Sequence, residues 1–255
     1  MIRAAVAALA LTSLWAWPHP AAARKLAREQ TDDGGVHWRL ETENGPVHVY
    51  RPPGYRHGSA GVVVYLHGLY VTADKAWAEH DLATQFAASR QNALFVVPEA
   101  PLGEEVPPWG WLEDLLDTVA EALRTRLPRG PLVVLGHSGS FRQVVMWLDH
   151  PALANIILLD ALYGNEDDFR AWLDASPRHR MTIVANDSRR WADPFVAAIR
   201  HAVTRDELPE GYDDFTDRER RARVLYMRTE TDHMELVTLG IVVPMLLRRT
   251  PLRAL

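Results

Sequence analysis

A serine and a histidine occupy positions in the chain that could support nucleophilic catalysis. Ser138 lies in the run Gly136-His137-Ser138-Gly139-Ser140, directly after a short apolar segment. A serine hydroxyl is a weak nucleophile at neutral pH, so it needs an imidazole to accept its proton and a carboxylate to orient that imidazole. His233 is the candidate imidazole, because among the 11 histidines it alone stands just after the last predicted strand, Arg223–Met227.

Two aspartates could supply the carboxylate. Asp160 ends the apolar run 155–159, and Asp187 follows the apolar run 181–185. A carboxylate among apolar residues is costly to ionise without a strong partner, and an imidazolium is such a partner, which favours Asp160. Asp187 precedes two arginines, where a surface ion pair would explain it. Asp232 is less suitable, because adjacent residues rarely aim their side chains at each other. The sequence favours Asp160 and leaves Asp187 open.

The elements that position these residues are predicted to be buried strands. Residues 132–135 are apolar and rich in β-branched side chains, as in a strand covered on both faces. Phe141–Leu148 has helical spacing, so Ser138 lies on a sharp strand-to-helix turn that would expose its hydroxyl. A second apolar strand, Gly61–Leu66, ends in His67-Gly68-Leu69.

The turn at Ser138 resembles the nucleophile elbow of the α/β-hydrolase superfamily, whose pattern is G-x-S-x-G. The last position of that pattern is Ser140 here, a departure by a residue that is still small. The order of serine, acid and histidine along the chain is also that of the superfamily. The resemblance implies that Ser138 is the nucleophile, His233 the base, and Asp160 or Asp187 the acid.

The same resemblance implies an oxyanion hole. In the superfamily an H-G-x segment after the third strand supplies part of this hole, and His67-Gly68-Leu69 matches it in place and residue type. The backbone N–H groups of Leu69 and Gly139 would hold the developing negative oxygen, with His67 and Gly68 beside the substrate. The implied activity is hydrolysis of small-molecule or polymeric carboxylic esters through an acyl-enzyme. Peptide or amide cleavage, acyl transfer, and a non-catalytic binding protein on the same fold are the alternatives.

The whole mature chain, residues 24–255, is predicted to form one α/β domain. Strands alternate with helices, which indicates a doubly wound, mostly parallel sheet of about eight strands, as in α/β-hydrolases, with no large cap. The residues 24–35 are expected to form a loose lead-in before a hairpin. Helices are expected at 73–89, 112–126 and 234–247.

Two segments could cover the site. Pro101–Trp111 carries Trp109 and Trp111 on a Pro/Gly-rich loop, where the tryptophans would either line a substrate cleft or plug the top of the core. Glu207–Arg223 is highly charged and is expected to be a solvated loop with a short helix that could overhang the site.

Composition narrows the function classes. The 255 residues carry a net charge of −5, which argues against a nucleic-acid partner or an anionic membrane surface. No cysteine is present, which excludes disulfides, thiolate metal sites and a cysteine nucleophile. No metal-binding motif or glycine-rich phosphate loop occurs, so neither a metal nor another cofactor is expected.

The N-terminus resembles a secretory signal peptide. Arg3 precedes the apolar segment Ala4–Trp17, Pro18 ends it, and Ala21-Ala22-Ala23 offers a cleavage site. The apolar segment is too short to span a membrane, and no later segment reaches that length. Met1–Ala23 is therefore predicted to be removed, and the mature protein to be periplasmic or secreted.

Overall fold

The computed structural model describes residues 25–255, and these residues build one mixed sheet of ten strands. The predicted leader, Met1–Ala23, lies outside the described residues. The sheet has the spatial order β1-β2-β3-β5-β4-β6-β7-β8-β10-β9. The strands are β1 (Lys25–Gln30), β2 (Val36–Thr42), β3 (Gly45–Arg51), β4 (Gly61–Leu66), β5 (Ala93–Pro98), β6 (Leu132–His137), β7 (Leu153–Leu159), β8 (Arg180–Ala185), β9 (Val203–Arg205) and β10 (Val224–Arg228).

The sheet is parallel wherever helices connect its strands. The strands β5, β4, β6, β7, β8, β10 and β9 pair in parallel, whereas β1, β2 and β3 extend the sheet at one side in antiparallel pairs. The predicted doubly wound, mostly parallel sheet is confirmed. Its strand number is larger than the predicted eight, because β1 forms from residues expected to be a loose lead-in and β9 adds a short strand at the other edge.

Helices cover both faces of the sheet. In the part of the chain that is described, the helices are α1 (Ala73–Glu79), α2 (Leu82–Ser89), α3 (Leu112–Ala122), α4 (Phe141–Met146), α5 (Glu166–Ala175), α6 (Arg189–Ala197), α7 (Asp217–Arg221), α8 (Glu235–Thr238) and α9 (Val242–Leu247). Apolar residues of α3, α4, α5 and α6 pack in one core layer, and those of α1, α2, α8 and α9 pack in the other. Alternate residues of β4 enter the two layers, Val62 and Val64 one, Val63 and Tyr65 the other. Strand burial on both faces thus follows from the two helical layers.

Two of the predicted helices are interrupted. The segment 73–89 is divided into α1 and α2 at Asp81, whose φ of +47° is left-handed and cannot continue a right-handed helix. The segment 234–247 is divided into α8 and α9 near Gly240, where φ is +75°.

Only one helix, α5, lies in the connection between β7 and β8, so no cap domain is inserted there. Among residues 25–255, no helix is both long and apolar enough to cross a membrane.

Candidate active site

The carboxyl ends of the parallel strands bring the candidate residues to one edge of the sheet. Ser138 follows β6, Asp160 follows β7, and His233 lies in the loop after β10. Leu69 stands three residues after the end of β4. Because these strands are parallel, their carboxyl ends lie along the same edge, where ligands of open α/β sheets bind.

Ser138 occupies a strained turn. Its φ is +57°, in the left-handed region that non-glycine residues rarely adopt, at a cost of about 1–2 kcal/mol. A 3₁₀ turn over residues 138–140 leads from β6 into α4. From Leu132 to Ser140 every residue is buried except Ser138, which is partly exposed. The turn therefore presents this one side chain to solvent from an otherwise enclosed segment.

Ser140 fits at the place where the superfamily pattern has glycine. A Cβ placed on Gly136 would lie 2.7 Å from Ser140 Oγ and 3.2 Å from a methyl carbon of Val144. The space that Gly136 leaves empty is therefore taken by the Ser140 hydroxyl. Strand β6 and helix α4 thus keep their close approach although position 140 is not glycine.

Asp160 is the carboxylate that contacts His233. Its Oδ2 accepts a hydrogen bond from His233 Nδ1 over 2.7 Å. Oδ1 accepts bonds from the backbone N–H of Asn186 at 3.0 Å and from Ser188, at 2.8 Å to its N–H and 2.6 Å to its hydroxyl. Oδ2 also accepts from the Asp187 N–H at 3.1 Å. Asp160 is fully buried, so the turn after β8 supplies the donors that replace water around its charge.

The pKa values of the two partners shift in opposite directions. Burial opposes ionisation of Asp160, but the hydrogen bonds from His233 and Ser188 outweigh it and hold the pKa of Asp160 below its usual value. The hydrogen bond to Asp160 raises the pKa of His233 above its usual 6.5, against the effect of its partial burial. The carboxylate therefore stabilises the imidazolium form of His233.

The loop that carries His233 is fastened to its neighbours. His137 Nε2 donates to the backbone carbonyl of His233 over 3.1 Å, and the two ring centroids are 4.5 Å apart. Asn186 Nδ2 donates to the carbonyl of Thr231 over 2.9 Å. Burial lowers the pKa of His137 to about 3, so this ring is neutral and adds no charge beside His233. The residue before the candidate nucleophile thus helps to hold the loop of the candidate base.

Asp187 lies next to this pair without forming its central contact. Its side chain is exposed, and only its backbone N–H bonds to Asp160. Asp160, Asp187 and His233 do offer three possible metal-ligand atoms within 4.8 Å of one another. However, Asp160 already accepts bonds from protein donors on both oxygens, and His233 Nδ1 is engaged with it. These three side chains are therefore better suited to a hydrogen-bonded aspartate–histidine pair than to binding a metal ion.

The loop after β4 lies against the Ser138 turn. A Cβ placed on Gly68 would be 2.9 Å from Ser138 Cβ and 3.4 Å from its Oγ. A Cβ placed on Gly139 would be 2.3 Å from Leu69 Cγ. Both glycines are therefore required by close approach. The structure places the two expected oxyanion donors, the N–H groups of Leu69 and Gly139, on adjoining segments.

His67 does not reach the surface where a substrate would bind. It is fully buried, with Nδ1 donating to the Gly68 carbonyl and Nε2 accepting from the Ala100 N–H, both at 2.9 Å. Its Nε2 is also 2.9 Å from Oε1 of Glu99. The expectation that His67 lies beside the substrate is thus replaced by a role inside the protein. Glu99 was not singled out from the sequence, although a glutamate directly after a buried strand is a signal that could have found it.

The two tryptophans of the 101–111 loop have different environments. Trp109 is fully buried in the core, and Gln143 and Trp147 donate to its carbonyl oxygen. Trp109 therefore plugs the core and does not line a cleft. Trp111 is 59% exposed. The same loop is held by Arg142 of α4, whose guanidinium donates to the carbonyls of residues 103, 104 and 105.

The 207–223 segment returns to the opposite edge of the sheet. It contains a 3₁₀ turn at residues 212–214 and α7. Arg180, at the amino end of β8, donates to the carbonyls of Arg220 and Ala222. The second half of this segment therefore lies at the amino edge of the strands, away from Ser138, and does not overhang the site.

Comparisons with solved structures identify the architecture. The chain is similar to the feruloyl esterase module of Clostridium thermocellum, with 13% identity, a TM-score of 0.55, and 90% of this chain and 95% of the other covered. It is also similar to an esterase from the archaeon Pyrobaculum calidifontis, with 14% identity, a TM-score of 0.51, and coverages of 89% and 85%.

A third similar structure is carboxyl esterase 2 of the fungus Tuber melanosporum, with 13% identity, a TM-score of 0.51, and coverages of 94% and 93%. No protein-family model and no curated protein sequence matches the chain. The similarity therefore lies in the fold, extends over nearly the whole chain, and confirms the resemblance drawn from the Ser138 turn: the protein has the α/β-hydrolase fold.

Proposed function

We propose that the protein is a serine hydrolase that cleaves carboxylic esters through an acyl-enzyme. Ser138 is the nucleophile, His233 the general base and Asp160 the acid that orients it. The observation that carries the proposal is the 2.7 Å bond between Asp160 Oδ2 and His233 Nδ1 at the edge where strained Ser138 is exposed. All three residue types are competent for their roles.

The proposed reaction has two halves. The proton of the Ser138 hydroxyl passes to Nε2 of His233 while its oxygen attacks the ester carbonyl carbon, and the carbonyl oxygen becomes an oxyanion. The N–H groups of Leu69 and Gly139 stabilise this oxygen. The imidazolium then gives its proton to the leaving alcohol, and the acyl group remains on Ser138. Water, deprotonated by the same imidazole, releases the acid.

Esters are the preferred substrate class because the similar solved structures include a feruloyl esterase, an archaeal esterase and a fungal carboxyl esterase. Amide cleavage and acyl transfer would use the same residues, and the test below separates them. Export of the mature chain stays a prediction from the N-terminal sequence.

A covalent probe tests the proposal. An alkyl fluorophosphonate should label the wild type at Ser138 and should not label Ser138→Ala. Ser140→Ala is a matched control, because Ser140 is two residues away and fully buried, and it should keep its label. Aryl esters, aryl amides and an ester with an added alcohol acceptor then rank hydrolysis, amidase activity and transfer. Labelling that survives in Ser138→Ala, or ester turnover that does, would reject the serine mechanism.

A further inference from the structure

Glu99 is a buried carboxyl group with no part in the proposed reaction. It directly follows β5, at the same edge of the sheet as Ser138, and is 8% exposed. The β2–β3 turn packs closely against it, since a Cβ placed on Gly45 would lie 2.6 Å from Glu99 Cβ. The Glu99 N–H also donates to the Pro46 carbonyl over 2.9 Å. A carboxyl group so enclosed needs partners inside the protein.

Its partners are the two ends of the loop that carries Leu69. Oε1 lies 2.9 Å from His67 Nε2, where the loop begins. The N–H of Ala73, where α1 begins and the loop ends, donates to both oxygens at 3.2 and 3.3 Å. His67 Nδ1 donates to the Gly68 carbonyl, and Nε2 also accepts from the N–H of Ala100, the residue after Glu99, so Glu99 and its neighbour together hold this side of the ring. One side chain therefore pins residues 68–72 at both ends.

The bond from His67 to Gly68 also determines where the Leu69 N–H points. The carbonyl of Gly68 and the N–H of Leu69 belong to one planar trans peptide, so they point in opposite directions. With the carbonyl held by the His67 ring at 2.9 Å, the N–H is directed away from that ring. A donor at the carbonyl also polarises the peptide and strengthens its N–H as a donor.

We propose that Glu99 is a positioning residue for the oxyanion hole, acting through His67 on the peptide between Gly68 and Leu69. This inference rests on the proposed function, because it assigns the Leu69 N–H to the oxyanion. Glu99 does not touch the substrate. It fixes the loop between two points, and His67 transmits that position to the donor peptide.

Two substitutions of Glu99 separate the effect of its side-chain length from the effect of its charge. Glu99→Gln keeps the length of the side chain, so its amide oxygen can accept from Ala73 while the rest of the amide group stays against the His67 ring. Glu99→Asp keeps the charge but is one methylene too short to hold both ends. Removal of one oxyanion donor lowers kcat by about 100- to 1000-fold in other hydrolases, so a displaced donor should lower it at least about tenfold.

We therefore expect kcat per active site within about threefold of wild type for Glu99→Gln and at least about tenfold lower for Glu99→Asp, with KM nearly unchanged in both. Active sites are counted by fluorophosphonate titration. The inhibition constant of an aryl boronic acid, whose adduct places an oxygen in the hole, should weaken in Glu99→Asp by the same factor as kcat. Glu219→Asp is the matched control, since Glu219 is 7% exposed, lies outside the loop that carries Leu69, and bonds Thr216 and Arg205.

Three outcomes would overturn the inference. Glu99→Asp could keep kcat within threefold, Glu99→Gln could lose as much as Glu99→Asp, or the loss could appear only in the titrated fraction and the melting temperature, as for a general defect in folding. A wild type that is not labelled at Ser138 would instead refute the proposed function. A labelled wild type with an unimpaired Glu99→Asp variant would refute the role of Glu99 alone.

Discussion

Replacement of Asp160 by asparagine should separate the charge of this residue from its shape. An asparagine with its carbonyl at the Oδ1 position keeps the bonds from Asn186 and Ser188. Its NH2 group then occupies the Oδ2 position, where it faces the Asp187 N–H and His233 Nδ1. The flipped amide would place the NH2 group against the Asn186 and Ser188 donors, which is worse.

The consequence for catalysis follows from the tautomer. An NH2 group opposite Nδ1 requires that nitrogen to be an acceptor, so the imidazole proton moves to Nε2, the atom that must accept the Ser138 proton. The equivalent change in a serine protease lowers kcat about 10⁴-fold, which corresponds to about 5.4 kcal/mol. The donor left facing the amide, the Asp187 N–H, should cost about 1–3 kcal/mol of stability. We expect both effects in Asp160→Asn.

Ester hydrolysis at pH 8 with active-site titration measures the first effect, and urea unfolding measures the second. The control is Asp187→Asn, whose exposed side chain should be worth less than about tenfold in kcat. If Asp187→Asn lost activity by orders of magnitude while Asp160→Asn stayed active, the assignment of the acid would be refuted. Large losses in both would mean that the two carboxylates act together on His233.

Two further predictions concern pH. The kcat/KM for esters should rise with pH through the pKa of His233, at a midpoint above 6.5 because of Asp160. Asp187→Asn removes a neighbouring negative charge and should shift that midpoint downward. A midpoint that does not move in this variant would contradict the prediction. Burial lowers the pKa of His48 to about 4, so as the pH falls the unfolded chain binds a proton at this residue before the folded protein does. The free energy of unfolding should therefore fall by roughly 3 kcal/mol between pH 6.5 and 4 because of His48. Urea unfolding at several pH values across this range should show that the free energy of unfolding depends less steeply on pH in His48→Gln than in the wild type. Equal dependences would exclude His48 as the cause.

The parts of the fold that leave a pattern of burial could be predicted from the sequence. The central strands, such as β4 and β6, are buried at every position, and their continuous apolar runs are visible in the chain. Strand β1 is exposed along the part whose burial is described, Leu26–Gln30, and is joined to β2 mainly through backbone pairing, so its residues carry no periodic signal. The helix break at Asp81 depends on a left-handed backbone conformation, which the residue type alone does not predict.

The candidate site shows the same division. Residues at the ends of apolar runs, Ser138 and Asp160, could be named because a polar group in that place needs a reason. Trp109 could not be assigned to cleft or core, since its partners, Gln143 of α4 and Trp147 just after that helix, are more than 30 residues away in sequence. Glu99 carries the same positional signal, but its role could not be predicted, because its partners His67 and Ala73 are far away in sequence and become neighbours only in the folded sheet.

The shared space of Gly136 and Ser140 has a consequence for how this site can change during evolution. A Cβ at position 136 would lie 2.7 Å from the Ser140 hydroxyl, so alanine there requires that hydroxyl to move, whereas a smaller residue at position 140 removes the conflict. If alanine is introduced at position 136 first, the intermediate carries both the new Cβ and the Ser140 hydroxyl. The two positions are therefore epistatic, and a mutational library that varies them one at a time would miss the combinations that keep the Ser138 turn intact.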